Sequence, residues 1–217
     1  IDAWDYFWRM FQTAEQKKSN VQYVPTEYNN LTIDADGFLY VTTSSIDAAQ
    51  QQAAIQSKSK ADTYAPVKKL NPSGTDVMNP PSGEVDVYNG TGNKDITISG
   101  ASKIVDVALG PNGMWSIIDQ KRSKVFTYDS NGVLLFVFGD IGDQVGNIQN
   151  LQAIAYQGSN ILLLDSTNNT ITVYKRTSYG DLIANALQNT EDQNYDAAVN
   201  YYTAILQRNN NYDSAYV

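Results

Sequence analysis

The residues able to do chemistry are few in kind. The 217-residue chain contains no Cys and no His. That excludes disulfides, thiolate nucleophiles, the usual histidine-based triads and every His-based zinc site. Carboxylates, Tyr, Lys and hydroxyls remain. The most suggestive carboxylates are Asp119 and Asp165, which close the aliphatic runs Ile117-Ile118-Asp119 and Leu163-Leu164-Asp165, 46 residues apart. Such a pair suits metal ligation or acid–base work. Strand-end carboxylates also accept backbone N–H groups of the following turn, and that structural role is the expected one. Asp34, Asp36 and Asp106 form a second acidic set, with Asp36 committed to its own turn before Gly37. Asp140 and Asp143, among Gly139, Gly142 and Gly146, loosely resemble a calcium loop. The terminal ligand of that spacing is missing, and the glycines do not follow phosphate-loop spacing. Trp115 lies in a strand, where core packing is expected rather than ligand stacking. No catalytic residue, metal ligand or cofactor is assigned, and the ligand-binding residues are unknown.

The elements that would position these residues repeat. Residues 103–132 and 151–175 say the same thing twice: an apolar run, a turn, an aliphatic strand ending in Asp, then a β-branched residue six positions on (Val125, Ile171) and a Tyr nine positions on (Tyr128, Tyr174). A period of roughly 40–50 residues built from short strands marks a propeller blade. Residues 30–74 read as a third copy. Asp36-Gly37 matches Asn112-Gly113 as a hairpin signal, Thr43 stands where Asp119 stands, and Val67 to Gly74 matches Val125 to Gly132. This copy carries a polar insertion, Ser44 to Ala65, read as an elaborated loop on one face. Glu84–Tyr88 and Lys94–Ser99 read as a hairpin of short strands. Gly132–Gly139 reads as an apolar strand buried on both faces.

Helical periodicity frames the strands. Residues 2–19 place Trp4, Phe7, Trp8 and Phe11 on one face of an amphipathic helix, expected to pack against the sheets. Asp181–Asn189 and Tyr195–Arg208 read as two helices, and Asn210–Tyr216 as the start of a third.

The strand units resemble the NHL-type repeat of β-propellers. The residues that carry the resemblance are Val107-Ala108, Asn112-Gly113, Ile117-Ile118-Asp119, Val125, Tyr128 and Gly132, and again Ile154-Ala155, Leu163-Leu164-Asp165, Ile171 and Tyr174. The C-terminal helices resemble a tetratricopeptide repeat, with Ala198 and Tyr202 in its Ala-x-x-x-aromatic element and Asn210 where Pro is usual. The implied fold is mainly β: a partial β-propeller of about three visible units, with an N-terminal amphipathic helix and a C-terminal helical hairpin of tetratricopeptide type. The expected domains are residues 1–25 (helix and link), 26–178 (blades, with an insertion at 44–66) and 179–217 (truncated helices). Closed propellers take about 4–8 blades. The chain is therefore read as a fragment of a longer protein, and an open arc would leave unpaired sheet edges. The Trp4 helix, the C-terminal helices or another copy of the chain are expected to cover them.

Net charge is −8, which argues against a nucleic-acid partner. The one basic cluster, Lys121-Arg122-Ser123-Lys124, is expected in a solvated turn. No run of about 18 apolar residues is present, so no membrane helix is expected in this stretch. Fifteen Tyr with abundant Asn, Thr and Ser suit an extracellular or cell-surface bacterial protein. The expected function is a non-enzymatic binding or assembly scaffold whose partner is another protein or a glycan. The alternative is a calcium-dependent, lactonase-like hydrolase of the six-bladed propeller type, which rests on fold analogy.

Overall fold

The structure, a computed structural model, describes residues 28–43, 67–78, 102–212 and 215–216. The expected Trp4 helix, the 44–66 insertion and the 84–99 hairpin lie outside these residues. The described chain is mainly β, with three antiparallel sheets and two helices, an arrangement consistent with a partial propeller. The first sheet holds β1 (Tyr28–Ile33), β2 (Leu39–Thr43) and β3 (Val67–Leu70). The second holds β4 (Ile104–Leu109), β5 (Trp115–Asp119), β6 (Lys124–Tyr128) and β7 (Leu134–Phe138). The third holds β8 (Leu151–Gln157), β9 (Asn160–Asp165) and β10 (Thr170–Tyr174). Each sheet is a meander in chain order.

The sequence repeat is a repeat of register. Leu31 faces Val41, Val107 faces Ile117 and Ile154 faces Leu163. Val67, Val125 and Ile171 stand opposite Thr42, Ile118 and Leu164. The first strand of every sheet also slips register at its second residue: between Tyr28 and Asn30, Ile104 and Asp106, Leu151 and Ala153. A bulge of this kind re-aims the side chains beside it.

Side-chain alternation gives each sheet two faces. In the second sheet, Val107, Trp115, Ile117, Phe126 and Tyr128 pack with Tyr40 and Val67 of the first. Ala108, Ile118 and Val125, on the opposite face, pack with Ile154, Ile161 and Leu163 of the third. Strand β5 is therefore buried at every position, as a strand covered on both faces must be. Trp115 belongs to this core. Its indole N–H donates to the Asp129 carbonyl at 2.7 Å, and its ring stacks on Tyr128 with centroids 4.5 Å apart.

One turn recurs three times. In Asp34–Gly37, Asn71–Gly74 and Asp129–Gly132, the first side chain accepts the N–H groups two and four residues on. The closing Gly has φ of +84°, +77° and +82°. The acceptor in the first of these is Asp34, not Asp36. This turn also differs from the one it was matched to. At Asn112-Gly113 both residues have positive φ (57° and 66°), as a tight two-residue hairpin turn requires.

A further expectation is corrected. The apolar run Gly132–Gly139 is not buried on both faces: β7 is the last strand of its sheet, and only Leu135 in it is fully buried. Among the described residues, both outer sheets carry exposed apolar side chains on their outward faces, while Val41 and Leu70 on the outward face of the first are buried. Leu31 and Ile33 of the first sheet and Ile171 and Val173 of the third are exposed.

Helix α1 (Ser178–Glu191) begins three residues before the expected start because the Thr177 hydroxyl accepts the Gly180 N–H at 3.2 Å and caps it. Helix α2 (Tyr195–Arg208) keeps the expected bounds. Ile183, Ala186 and Ile205 join Met114 and Leu135 of the second sheet in one cluster, and the Asn112 side chain donates to the Ala184 carbonyl. The helices thus dock on the hairpin tip of the second sheet. No helix among the described residues is long and apolar enough to cross a membrane.

Candidate functional site

The structure keeps the suggestive carboxylates apart and engages each locally. Asp119 accepts the backbone N–H groups of Lys103 and Lys121, both at 2.9 Å. Asp165 accepts those of Gln149 and Thr167 at 2.9 Å, with Asn150 and Asn168 further out. Each pins the entry of its sheet's first strand to the turn after its second, as the structural reading expects. Burial pushes the Asp165 carboxyl up, but the surrounding N–H groups outweigh it and hold the pKa below the ordinary value. Asp119 has a further partner. Arg122 is buried and pairs with it at 2.9 Å, and Lys124 donates to the Gly139 carbonyl. The expected solvated basic cluster is thus in part a buried ion pair.

Asp106 is the carboxylate at the junction of all three sheets. It accepts the Asn30 side-chain amide from the first sheet, the Val107 N–H of its own strand, and the Ile154 N–H of the third. Burial holds its pKa above the carboxylate range despite these donors. Asp140 accepts the Ile141 N–H, and Asp143 accepts the Gln149 side-chain amide. Among the described residues no three carboxylates gather where a metal ion would be held.

A site that the sequence reading did not single out lies where the second sheet, the third sheet and α1 meet. It is a cleft of about 340 Å³. Its walls are Phe136, Phe138, Tyr156, Ile161, Tyr174 and Tyr179, with Lys175 and Arg176 among the lining residues. The Phe138 and Tyr174 rings meet at 5.1 Å. Strand β7 supplies one wall and, as the end of its sheet, pairs among the described residues with a strand on one side only. Gly110 makes room for Tyr156, because a Cβ there would lie 2.7 Å from the ring. The Tyr156 hydroxyl bonds Ser116 at 2.6 Å, and Ser116 bonds Thr127 at 2.7 Å, forming a short buried hydroxyl chain. Burial raises the pKa of Tyr156 and of Tyr174, so at neutral pH both are hydroxyl donors rather than bases. Arg176 is tied to Asp181 at 2.7 Å. The Tyr179 hydroxyl is buried with no hydrogen-bond partner among the described residues, a state that buried polar groups rarely keep. The available signals were the aromatic alternation Phe136/Phe138 and the repeat-position Tyr174. The cleft itself depends on where α1 docks, which periodicity does not encode.

The cleft thus has apolar walls, with the Tyr174 hydroxyl donating to the Gly146 carbonyl at 2.6 Å and Tyr156 and Arg176 also locally engaged, on a mainly β arrangement of three described sheets. No protein-family model and no curated protein matches the chain. Among solved structures it is similar to one titled "Streptogramin B lyase structure", at 15% identity and a TM-score of 0.33 over 73% of this chain. The match spans 58% of the length of that structure.

Proposed function

We propose that the protein is a non-enzymatic binding and assembly module, and that the cleft beside β7 takes an extended, aromatic-bearing segment of another protein. The observation that carries this reading is the cleft itself, an apolar pocket next to a strand that, among the described residues, is paired on one side only. An added strand satisfies a free edge through main-chain hydrogen bonds while its alternate side chains fill pockets. Tyr179 offers an unmet hydroxyl, and Lys175 favours an acidic residue at one end of the segment. In this reading the three sheets are NHL-type propeller blades and the helices a tetratricopeptide-type hairpin. The register repeat supports the first assignment; buried Ala198, with Tyr202 beside the helical cluster, supports the second. The abundance of Tyr, Asn, Thr and Ser supports an extracellular or cell-surface setting.

The test is fluorescence polarisation with labelled extended peptides that alternate Phe or Tyr with polar residues and end in Glu. Saturable binding that Phe138→Ala weakens is the expected result. Binding indifferent to Phe138→Ala overturns the site. The calcium-dependent hydrolase alternative has no observation of its own, since Asp34, Asp106, Asp119, Asp129 and Asp165 are each spent on a turn or a sheet junction. Thermal unfolding with calcium and with EDTA separates the two: a calcium-dependent rise in Tm reports a bound ion by mass action and favours the hydrolase.

A further inference from the structure

A second cavity lies between the first sheet and the second and shares no lining residue with the cleft beside β7. Its volume is about 590 Å³, within the range of small-molecule sites, about 300–1,000 Å³. Phe38, Tyr40 and Met78 give its lining an apolar part, and Lys69, Asn71 and Asn131 a polar one.

Lys69 is the charged member. Strand alternation sends the adjacent Lys68 and Lys69 of β3 to opposite faces, and Lys69 stands opposite Tyr40. Its ammonium lies 4.8 Å from the centroid of the Phe38 ring and 5.1 Å from that of Tyr40. The two rings hold the side chain, so little rotamer freedom remains to be lost when a guest binds. None of the ion pairs among the described residues uses it; those belong to Arg122, Lys124 and Arg176. The chain as a whole stands at −8, so an unpaired cation here does not reflect a shortage of carboxylates. A held, half-buried ammonium of this kind is complementary to an anion.

The backbone around the cavity is already spent. Two of the three matching turns, Asn71–Gly74 and Asp129–Gly132, contribute to the wall. Within them the Gly74 and Gly132 N–H groups donate to the Asn71 and Asp129 carbonyls, and the Asn71 and Asp129 N–H groups donate to those of Thr75 and Val133. The Val77 N–H donates to the Lys69 carbonyl. These groups leave an added peptide strand little to bond, in contrast to β7, so recognition falls to side chains. The Asn71 Oδ1 accepts the Ser73 and Thr75 N–H groups, which turns its amide N–H donors to other partners. Asn131, exposed in the facing turn, adds a second amide. Amides donate and accept, as sugar hydroxyls do.

We propose that this cavity binds a small acidic sugar, a pyranose ring bearing one carboxylate. The carboxylate pairs with the Lys69 ammonium, the ring hydroxyls meet the Asn71 and Asn131 amides, and the C–H face of the ring covers the partly exposed Phe38. The site is distinct from the cleft beside β7 and independent of what that cleft binds.

A ¹H–¹⁵N NMR titration of the full chain with D-glucuronate tests this, with D-glucose as the neutral sugar and acetate as the bare anion. The expected result is saturable shifts at Lys69, Asn71 and Asn131, with either control about tenfold weaker or more. Added salt should weaken glucuronate binding by screening the ion pair. Lys69→Gln keeps the stem over the rings and removes the charge; it should weaken binding by about tenfold or more. Asn131→Ala should weaken it by about threefold, and Phe138→Ala should leave it unchanged. Circular dichroism and Tm report whether each variant is folded, and if Lys69→Gln is not, Asn131→Ala decides alone. No saturable shift, shifts confined to other residues, or binding that a folded Lys69→Gln or Asn131→Ala leaves unchanged overturns the site. Glucose or acetate bound as tightly as glucuronate overturns the acidic sugar as its ligand.

Discussion

Asp106 and Ile154 join two sheets: the carboxylate accepts the Ile154 backbone N–H at 2.8 Å across the boundary between the second and third. The same side chain accepts the Asn30 amide from the first sheet. A single residue beside the β4 bulge thus ties the whole arc together. Asp106→Ala leaves these donors buried and unmet. It should cost about 2–4 kcal/mol of folding stability, since each stranded group costs about 1–3. Urea unfolding of the variant measures it.

Asp106 and Asp165 should respond to pH in opposite senses. Burial raises the folded pKa of Asp106 above its ordinary value of 3.8. Its contribution is therefore largest below that value and is lost as pH rises through the raised one. Backbone donors lower the folded pKa of Asp165 below 3.8. Its contribution is present above that value and is lost as pH falls through the lowered one. Relative to Asp106→Asn, the natural chain should gain stability on acidification; relative to Asp165→Asn, it should lose it. Denaturant titrations across pH in which both differences move the same way would contradict the assignment.

Gly110→Ala should disturb the cleft from behind. The added methyl would lie 2.7 Å from the Tyr156 ring, closer than real contacts allow, so the ring must shift and the hydroxyl link to Ser116 must stretch. The expected outcome is weaker binding of aromatic peptides with the β-sheet circular dichroism retained. Unchanged binding would mean that Tyr156 does not shape the cleft.

The part of the fold carried by local pattern was legible in advance. Asp119 and Asp165, Val125 and Ile171, and Tyr128 and Tyr174 occupy equivalent register positions, because one hairpin geometry imposes one spacing of apolar, turn and capping residues. The misreadings came where tertiary contact decides. Arg122 looked like a surface cation because nothing local shows that Asp119 and Ser102 close over it. Strand β7 looked buried because apolar content does not reveal which strand ends a sheet. Thr177, three residues before Gly180, is a cap residue type that local sequence does display. Asp106 joins residues 76 positions before it and 48 positions after it, a separation that no window of sequence displays.

Trp115→Phe should separate the indole's hydrogen bond from its bulk. The ring still stacks on Tyr128, but the Asp129 carbonyl loses its 2.7 Å donor, at an expected cost of about 1 kcal/mol. Trp115→Ala also empties the space between two sheets and should cost about 3–5 kcal/mol. Equal losses in the two variants would show that the indole N–H carries the whole effect.

Strand β4 packs on β1 and β2 on one side and on β8 on the other. It is the keystone through which the outer sheets lean on one another. In a stack of this kind, cooperativity travels by nearest neighbours, and opening begins at the ends. The amides of β5, Trp115–Asp119, paired on both sides and buried at every position, should therefore be the slowest to exchange with deuterium, with protection falling away toward β1 and β10. The chain would then unfold as an arch does, from its springers inward, and its middle sheet would be the last record of the fold.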